Sequence, residues 1–128
     1  MKIKLTSIFV NDQNKAFDFY TKILGFGKKA DVSAGKHRWL TVVSQEEPNG
    51  SHLVLEPNDN PVSRSYQEAI YKQGIPATMF FVDDIQKEYQ RLKRLGVKFT
   101  MEPTRTPGST ITRFDDTCGN LIQITQLG

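Results

Sequence analysis

Two stretches of this chain carry the same punctuation about seventy positions apart, and this internal repeat constrains the fold more than any other feature. Phe9-Val10-Asn11-Asp12 leads into a helical pattern ending at Leu24-Gly25, and Phe81-Val82-Asp83-Asp84 leads into another ending at Leu95-Gly96. Asp12 and Asp84 are offset by 72 and Gly25 and Gly96 by 71, so the second helix is one residue shorter. An Asp at a helix start accepts from backbone N–H groups that the first turn leaves unpartnered, and it favours the positive end of the helix dipole. A glycine after the last turn takes the left-handed conformation that ends a helix at little cost. Between these signals, Ala16, Phe17, Tyr20, Ile23 and Leu24 form one apolar stripe, and Ile85, Tyr89, Leu92 and Leu95 form the other.

A strand precedes each helix, Lys2 to Val10 or Pro76 to Val82, and strand-like runs follow it. These are Arg38–Ser44 and His52–Glu56 in the first half, and Ser109–Phe114 and Asn120–Thr125 in the second. Weaker strand signals lie at Lys28–Val32 and Val97–Met101. Each half therefore reads β-α-β-β-β, an α+β pattern. The 128 residues suit one domain, with module one at 1–57, a linker helix within 58–74 and module two at 75–128. The linker helix, about Ser63 to Gln73, puts Tyr66, Ala69 and Ile70 on one face and stops at Gly74. The competing reading is two unrelated strand–helix units with ordinary caps.

Several function classes fall away on composition. No apolar run approaches the roughly 18 residues of a membrane span. The net charge of +3 calls for no polyanionic partner. The run Lys87, Arg91, Lys93, Arg94 and Lys98 includes Glu88 and interleaves only Tyr89, so it reads as a solvated helix face, not a nucleic-acid stripe. The single cysteine, Cys118, excludes an internal disulfide and any multi-cysteine zinc site, and points to a reducing cytoplasm. No sequence neighbour of Cys118 supplies the lowered pKa that a nucleophile needs.

With the repeat in place, the combination of Val10-Asn11-Asp12, Phe19-Tyr20 and Leu24-Gly25-Phe26 resembles the vicinal oxygen chelate superfamily of glyoxalases, extradiol dioxygenases and bleomycin-resistance proteins. Val82-Asp83-Asp84 repeats the opening signature, and Asp116-Thr117-Cys118-Gly119-Asn120-Leu121-Ile122 is similar to the family's closing motif. The resemblance covers nearly the whole chain. It implies a cupped, mostly antiparallel sheet with helices on the outer face, and a homodimer. It says less about chemistry, since one scaffold hosts unrelated activities.

Metal-dependent members of the superfamily hold a divalent ion with about four His or Glu ligands on the concave face. The resemblance places those positions at Leu5 and Ala77, each seven residues before a capping Asp, at Gln123, four after Gly119, and at Val54, four after Gly50. Leu, Ala and Val offer no donor, and glutamine is a weak neutral one. No cofactor is expected on this reading. The chain has two histidines, His37 and His52, and neither falls on an inherited ligand position. Strand alternation nevertheless puts His52, Val54 and Glu56 on one face, so a divalent metal displaced to His52, Glu56 and Gln123 is the alternative. The bland reading of His52 and Glu56 is two solvated strand-end residues.

The same alternation turns Leu5, Ser7, Phe9, Val54, Ala77, Met79, Phe81, Leu121 and Gln123 inward, with Ile3 and Thr125. Thr6, Ile8, Val10, Phe80, Val82, Ile122 and Ile124 then pack under the helices. A mostly apolar lining with a few polar points suits an apolar or aromatic small molecule, although Met79 and the Phe residues serve equally as core. Trp39 offers a ring face and one donor. Tyr66 and Tyr71 stand ready to close over the cup or pack its seam, and Arg105 and Arg113 to meet an anionic ligand. Three functions stay open: a binding protein, a displaced-metal lyase or dioxygenase, and a metal-free enzyme with His52 or Glu56 as base and Ser7 or Gln123 orienting.

Overall fold

In the computed structural model, which describes residues 1–128, both capping aspartates do what the repeat predicts. Asp12 Oδ1 accepts from Lys15 N at 3.0 Å and Asp84 Oδ1 from Lys87 N at 3.1 Å. They open α1 (Gln13–Asp18) and α3 (Ile85–Arg94). Gly25 and Gly96 both have positive φ, 92° and 87°, and close the two helical segments.

The one-residue offset has a structural home. α1 runs on into a π-helical turn, Phe19–Ile23, where Leu24 N donates to Phe19 O, five residues back, at 3.0 Å. A π turn holds one more residue per turn than an α turn, so it absorbs an insertion without changing where the helix ends. Phe19 and Tyr20 within it stay buried, and their rings meet edge to face.

Hydrogen bonding defines two four-stranded mixed sheets, ordered β1-β4-β3-β2 and β5-β8-β7-β6. The first comprises β1 (Leu5–Val10), β2 (Gly27–Ala34), β3 (His37–Val43) and β4 (His52–Pro57). The second comprises β5 (Thr78–Phe81), β6 (Thr104–Thr106), β7 (Ser109–Asp115) and β8 (Leu121–Leu127). In each, the first strand pairs parallel with the last and the other pairs are antiparallel. The β-α-β-β-β pattern holds twice over. Cα packing divides the chain into two compact units, Met1–Ser65 and Tyr66–Gly128.

The core follows the alternation. In the first unit Ile8, Val10, Leu40, Val42, Leu53 and Leu55 are buried on the sheet face that α1 covers, with Ala16 and Tyr20 above them. Thr6 is the exception, being exposed near the start of β1. In the second unit Ile122, Ile124 and Phe114 pack against Ile85, Tyr89 and Leu92 of α3, and Phe99 stacks edgewise between Tyr89 and Phe114.

Two expectations need correction. Val97–Met101 makes no strand: Phe99 forms a single bridge with Phe114, and the strand paired with β7 is β6. Pro103 cannot donate to a ladder, so pairing restarts only beyond it. The other concerns the linker helix, α2 (Pro61–Lys72), whose first turn is held by Val62 N donating to Asn60 Oδ1 at 2.9 Å. Tyr66 and Ala69 are exposed, and the buried residue is Gln67. A polar side chain seats this helix, not an apolar face.

The seat is the closing turn before β8. Asp116 Oδ1 accepts from Cys118 N at 2.7 Å and Asn120 N at 3.0 Å, while Oδ2 accepts from Asn120 Nδ2 at 2.8 Å. Gln67 Nε2 donates to Cys118 O at 3.2 Å and Asn120 Oδ1 at 3.1 Å. Gly119, at φ +99°, lets the amide approach: a Cβ there would stand 2.6 Å from Gln67 Nε2. Cys118 is a buried free thiol inside this turn. No helix is long and apolar enough to cross a membrane.

Candidate functional site

The sheet face turned away from α1 carries every site residue predicted in the first unit. Register places Leu5 beside His52, Ser7 beside Val54 and Phe9 beside Glu56, and Thr41 on β3 beside Val54 in turn. Residues in direct register point to the same side, so His52, Val54 and Glu56 do share a face with Leu5, Ser7, Phe9 and Trp39. Leu5 and Trp39 are each 44% exposed, whereas Val54 is only 2% exposed and forms floor rather than accessible wall. Ile3 precedes β1 and is exposed.

Polar groups punctuate this apolar face. Ser7 Oγ donates to Glu56 Oε1 at 3.2 Å, which pairs a hydroxyl with a carboxylate across β1 and β4. Thr41 is 1% exposed and its Oγ1 has no partner in the protein. Gln13, a residue that periodicity gave no reason to notice, orders the far end: its amide donates to Arg38 O and Leu55 O and accepts from Arg38 N. It bridges β3 and β4 where their own ladder has stopped. Arg38 then reaches Asp31 and Asn14. At the rim, His37 Nε2 lies 2.6 Å from Asp59 Oδ2. This hydrogen bond, with Lys36 acting in the same direction, holds the Asp59 carboxyl below its ordinary value.

The second unit has an equivalent face. Met79, Gln123 and Arg113 form one row across β5, β8 and β7; Phe81, Thr125 and Ile111 form the next. Leu121 is registered with Asp115, and Ala77 N donates to Leu121 O. Met79 is 44% and Phe81 62% exposed, while Leu121 and Gln123 are buried. Gln123 is held at both ends of its amide: Oε1 accepts from Arg113 Nε at 2.9 Å and Nε2 donates to Thr125 Oγ1 at 3.2 Å. Arg113 Nη1 also donates to Gly74 O at 3.4 Å. Tyr71, at the end of α2, donates its hydroxyl to Asp115 Oδ2, and that bond raises the phenol above its ordinary pKa. Of the other predicted candidates, Arg105 is exposed on β6 and Tyr66 exposed on α2.

The donor chemistry does not fit the superfamily's divalent metal. Leu5, Val54 and Ala77 carry hydrocarbon at the inherited positions, and the one oxygen among them, Gln123 Oε1, already accepts from a guanidinium that would repel a cation. His52 and Glu56 lie four residues apart on one strand, a rise of about 13 Å. Glu56 Oε1 is turned instead to Ser7.

Comparison with known proteins agrees with this architecture. The family model for the Glyoxalase/Bleomycin resistance protein/Dioxygenase superfamily matches residues 2–124. The chain is 60% identical over 126 residues to the uncharacterized protein YurT of Bacillus subtilis (strain 168), covering 98% of this chain and 99% of that one. The crystal structure of UcmS2 superimposes with a TM-score of 0.84 at 32% identity, covering 98% of this chain and 97% of that one. TnmS3, an antibiotic binding protein from Streptomyces sp. CB03234, gives 0.77 at 27% identity, covering 100% and 97%. With its repeated β-α-β-β-β modules and a family match along almost its whole length, this chain belongs to the glyoxalase/bleomycin resistance protein/dioxygenase superfamily.

Proposed function

We propose that this protein binds and sequesters a small apolar or aromatic molecule on its open sheet faces. The observation that carries the reading is that large apolar side chains stay exposed on both of these faces, Leu5 and Trp39 in one unit and the neighbouring pair Met79 and Phe81 in the other. Scattered apolar residues are ordinary on a surface, but exposed apolar side chains that share a sheet face with a few fixed polar groups suit the lining of a ligand site. The likeness to TnmS3 supports the same reading. Cytoplasmic location and a homodimer belong to the proposal; sedimentation at micromolar concentration is expected to show a dimer, and a monomer overturns that part.

The test uses the neutral dye N-phenyl-1-naphthylamine. Saturable enhancement of its fluorescence is expected, together with quenching of Trp39, the one tryptophan of the chain. Burying a Phe side chain stabilises by about 1.5–3 kcal/mol, so Phe81→Asp should weaken the dye by roughly tenfold or more. No saturable signal, and no organic mass carried with the native protein in mass spectrometry, would overturn the reading.

The Ser7–Glu56 hydrogen bond favours a second reading, metal-free turnover with Glu56 as general base and Ser7 orienting it. This predicts that Glu56→Gln abolishes conversion of any compound found bound while leaving its affinity intact. Equal conversion by the variant removes that reading.

A further inference from the structure

We propose that Arg113 is the anion receptor of the second unit's sheet face, and that the ligand is an aromatic molecule bearing an acidic oxygen group, such as a carboxylate or sulfonate. The inference rests on the ligand-binding reading above and names its substrate class.

The guanidinium is held in place by neutral acceptors alone, Gln123 Oε1 at 2.9 Å and Gly74 O at 3.4 Å. Neither cancels its charge, and Arg113 takes part in none of the chain's ion pairs. The carboxylate two residues along the same face, Asp115, is occupied: it accepts from the Tyr71 hydroxyl and, at 2.6 Å, from Thr117 N. Arg113 Nη2 donates to no protein atom. Thr125 orients the Gln123 amide so that its oxygen, not its nitrogen, faces Arg113.

Two consequences follow from this arrangement. A half-buried arginine fixed through Nε and Nη1 has lost much of its rotamer freedom on folding, so little more is lost when it binds. Its remaining N–H groups form a fork suited to a planar oxyanion. The cross-strand row then supplies the other half of the specificity, since Met79 shares that row and Phe81 stands in the next, both widely exposed. A cation beside an aromatic and a thioether recognises a molecule with an apolar body and an acidic end. Arg105, on β6 of the same sheet, has no partner that fixes it and is a built-in control.

The experiment compares 8-anilinonaphthalene-1-sulfonate with N-phenyl-1-naphthylamine, which has the same rings without the sulfonate. Wild-type protein should bind the sulfonate more tightly. Arg113→Met should weaken the sulfonate by about tenfold or more, the range expected for a charge-assisted hydrogen bond, and leave the neutral dye within about twofold. Arg105→Gln should change neither. If Arg113→Met does not fold, Arg113→Lys keeps the charge but not the fork, and should still weaken the sulfonate severalfold. Equal affinity of wild type for the two dyes overturns the proposal while the binding reading survives. So does an equal loss of sulfonate affinity in the Arg105 and Arg113 variants, which would mark diffuse positive charge. Failure of both dyes to bind overturns the binding reading itself, and this one with it.

Discussion

Replacing Gly119 by alanine should be far more damaging than replacing any other positive-φ glycine in the chain. Two effects add there. The first is backbone strain: φ is +99°, and a side chain held in such a region costs on the order of 1–3 kcal/mol. The second is steric. The new Cβ would stand 2.6 Å from Gln67 Nε2 and 3.2 Å from its Cδ, so the amide must move. Gln67 is buried and donates to Cys118 O and Asn120 Oδ1, so moving it strands buried polar groups at about 1–3 kcal/mol each. Gly119→Ala should therefore cost about 3–5 kcal/mol, whereas Gly96→Ala, at φ +87° with nothing within 4 Å of its Cβ, should cost about 1 kcal/mol. Urea unfolding followed by far-UV circular dichroism measures both, read as a fall in midpoint at constant slope. The decisive arm is a double-mutant cycle. In a Gln67→Ala background the steric term disappears, and Gly119→Ala should then cost no more than Gly96→Ala. Additive losses, or equal costs for the two glycines in the native background, would refute the reasoning.

Two further outcomes can be checked directly. Deleting the exposed Lys22 should convert the π turn into regular helix and cost less than about 2 kcal/mol, while deleting the exposed Lys93 from α3, which has no residue to spare, should cost much more; thermal unfolding of the two variants decides it. The folded state keeps the Tyr71 proton at a pH where the unfolded chain releases it. The stability that this hydroxyl contributes is thus fully present below about pH 10 and lost as pH rises through the higher folded value. Absorbance at 295 nm should lose one late-titrating phenol on Tyr71→Phe, and the stability gap between wild type and that variant should narrow from pH 9 to pH 11. A gap that widens over that range contradicts the Tyr71–Asp115 bond.

What the chain reveals before folding is its local grammar. Asp12, Asp84, Gly25 and Gly96 act within one turn of themselves, so their spacing alone located both helices and the doubled module. Strand alternation likewise assigned the faces, because His52, Val54 and Glu56 have to point the same way whatever surrounds them. Gln13 and Gln67 leave no such signal. Gln13 meets Arg38 and Leu55, and Gln67 meets Cys118 and Asn120, across 25 to 53 residues of chain. A long polar side chain satisfying a distant backbone leaves no period to read. β6 leaves no signal for another reason: three residues, Thr104 to Thr106, are too few to show alternation. Arg113 could be suspected from its charge, but that its acceptors are neutral is knowable only from the register of β7 with β8.

The doubled parallel pairing also bears on the order of folding. Leu5 meets His52 across 47 residues and Thr78 meets Ile122 across 44, so each module closes a loop of nearly the same length. Closure entropy grows only with the logarithm of that length, and the two costs differ by less than about 0.1 kcal/mol. Chain entropy therefore gives neither module a head start. If one half forms first, the bias lies in side-chain detail: the π turn on one side, or the glutamine latch on the other.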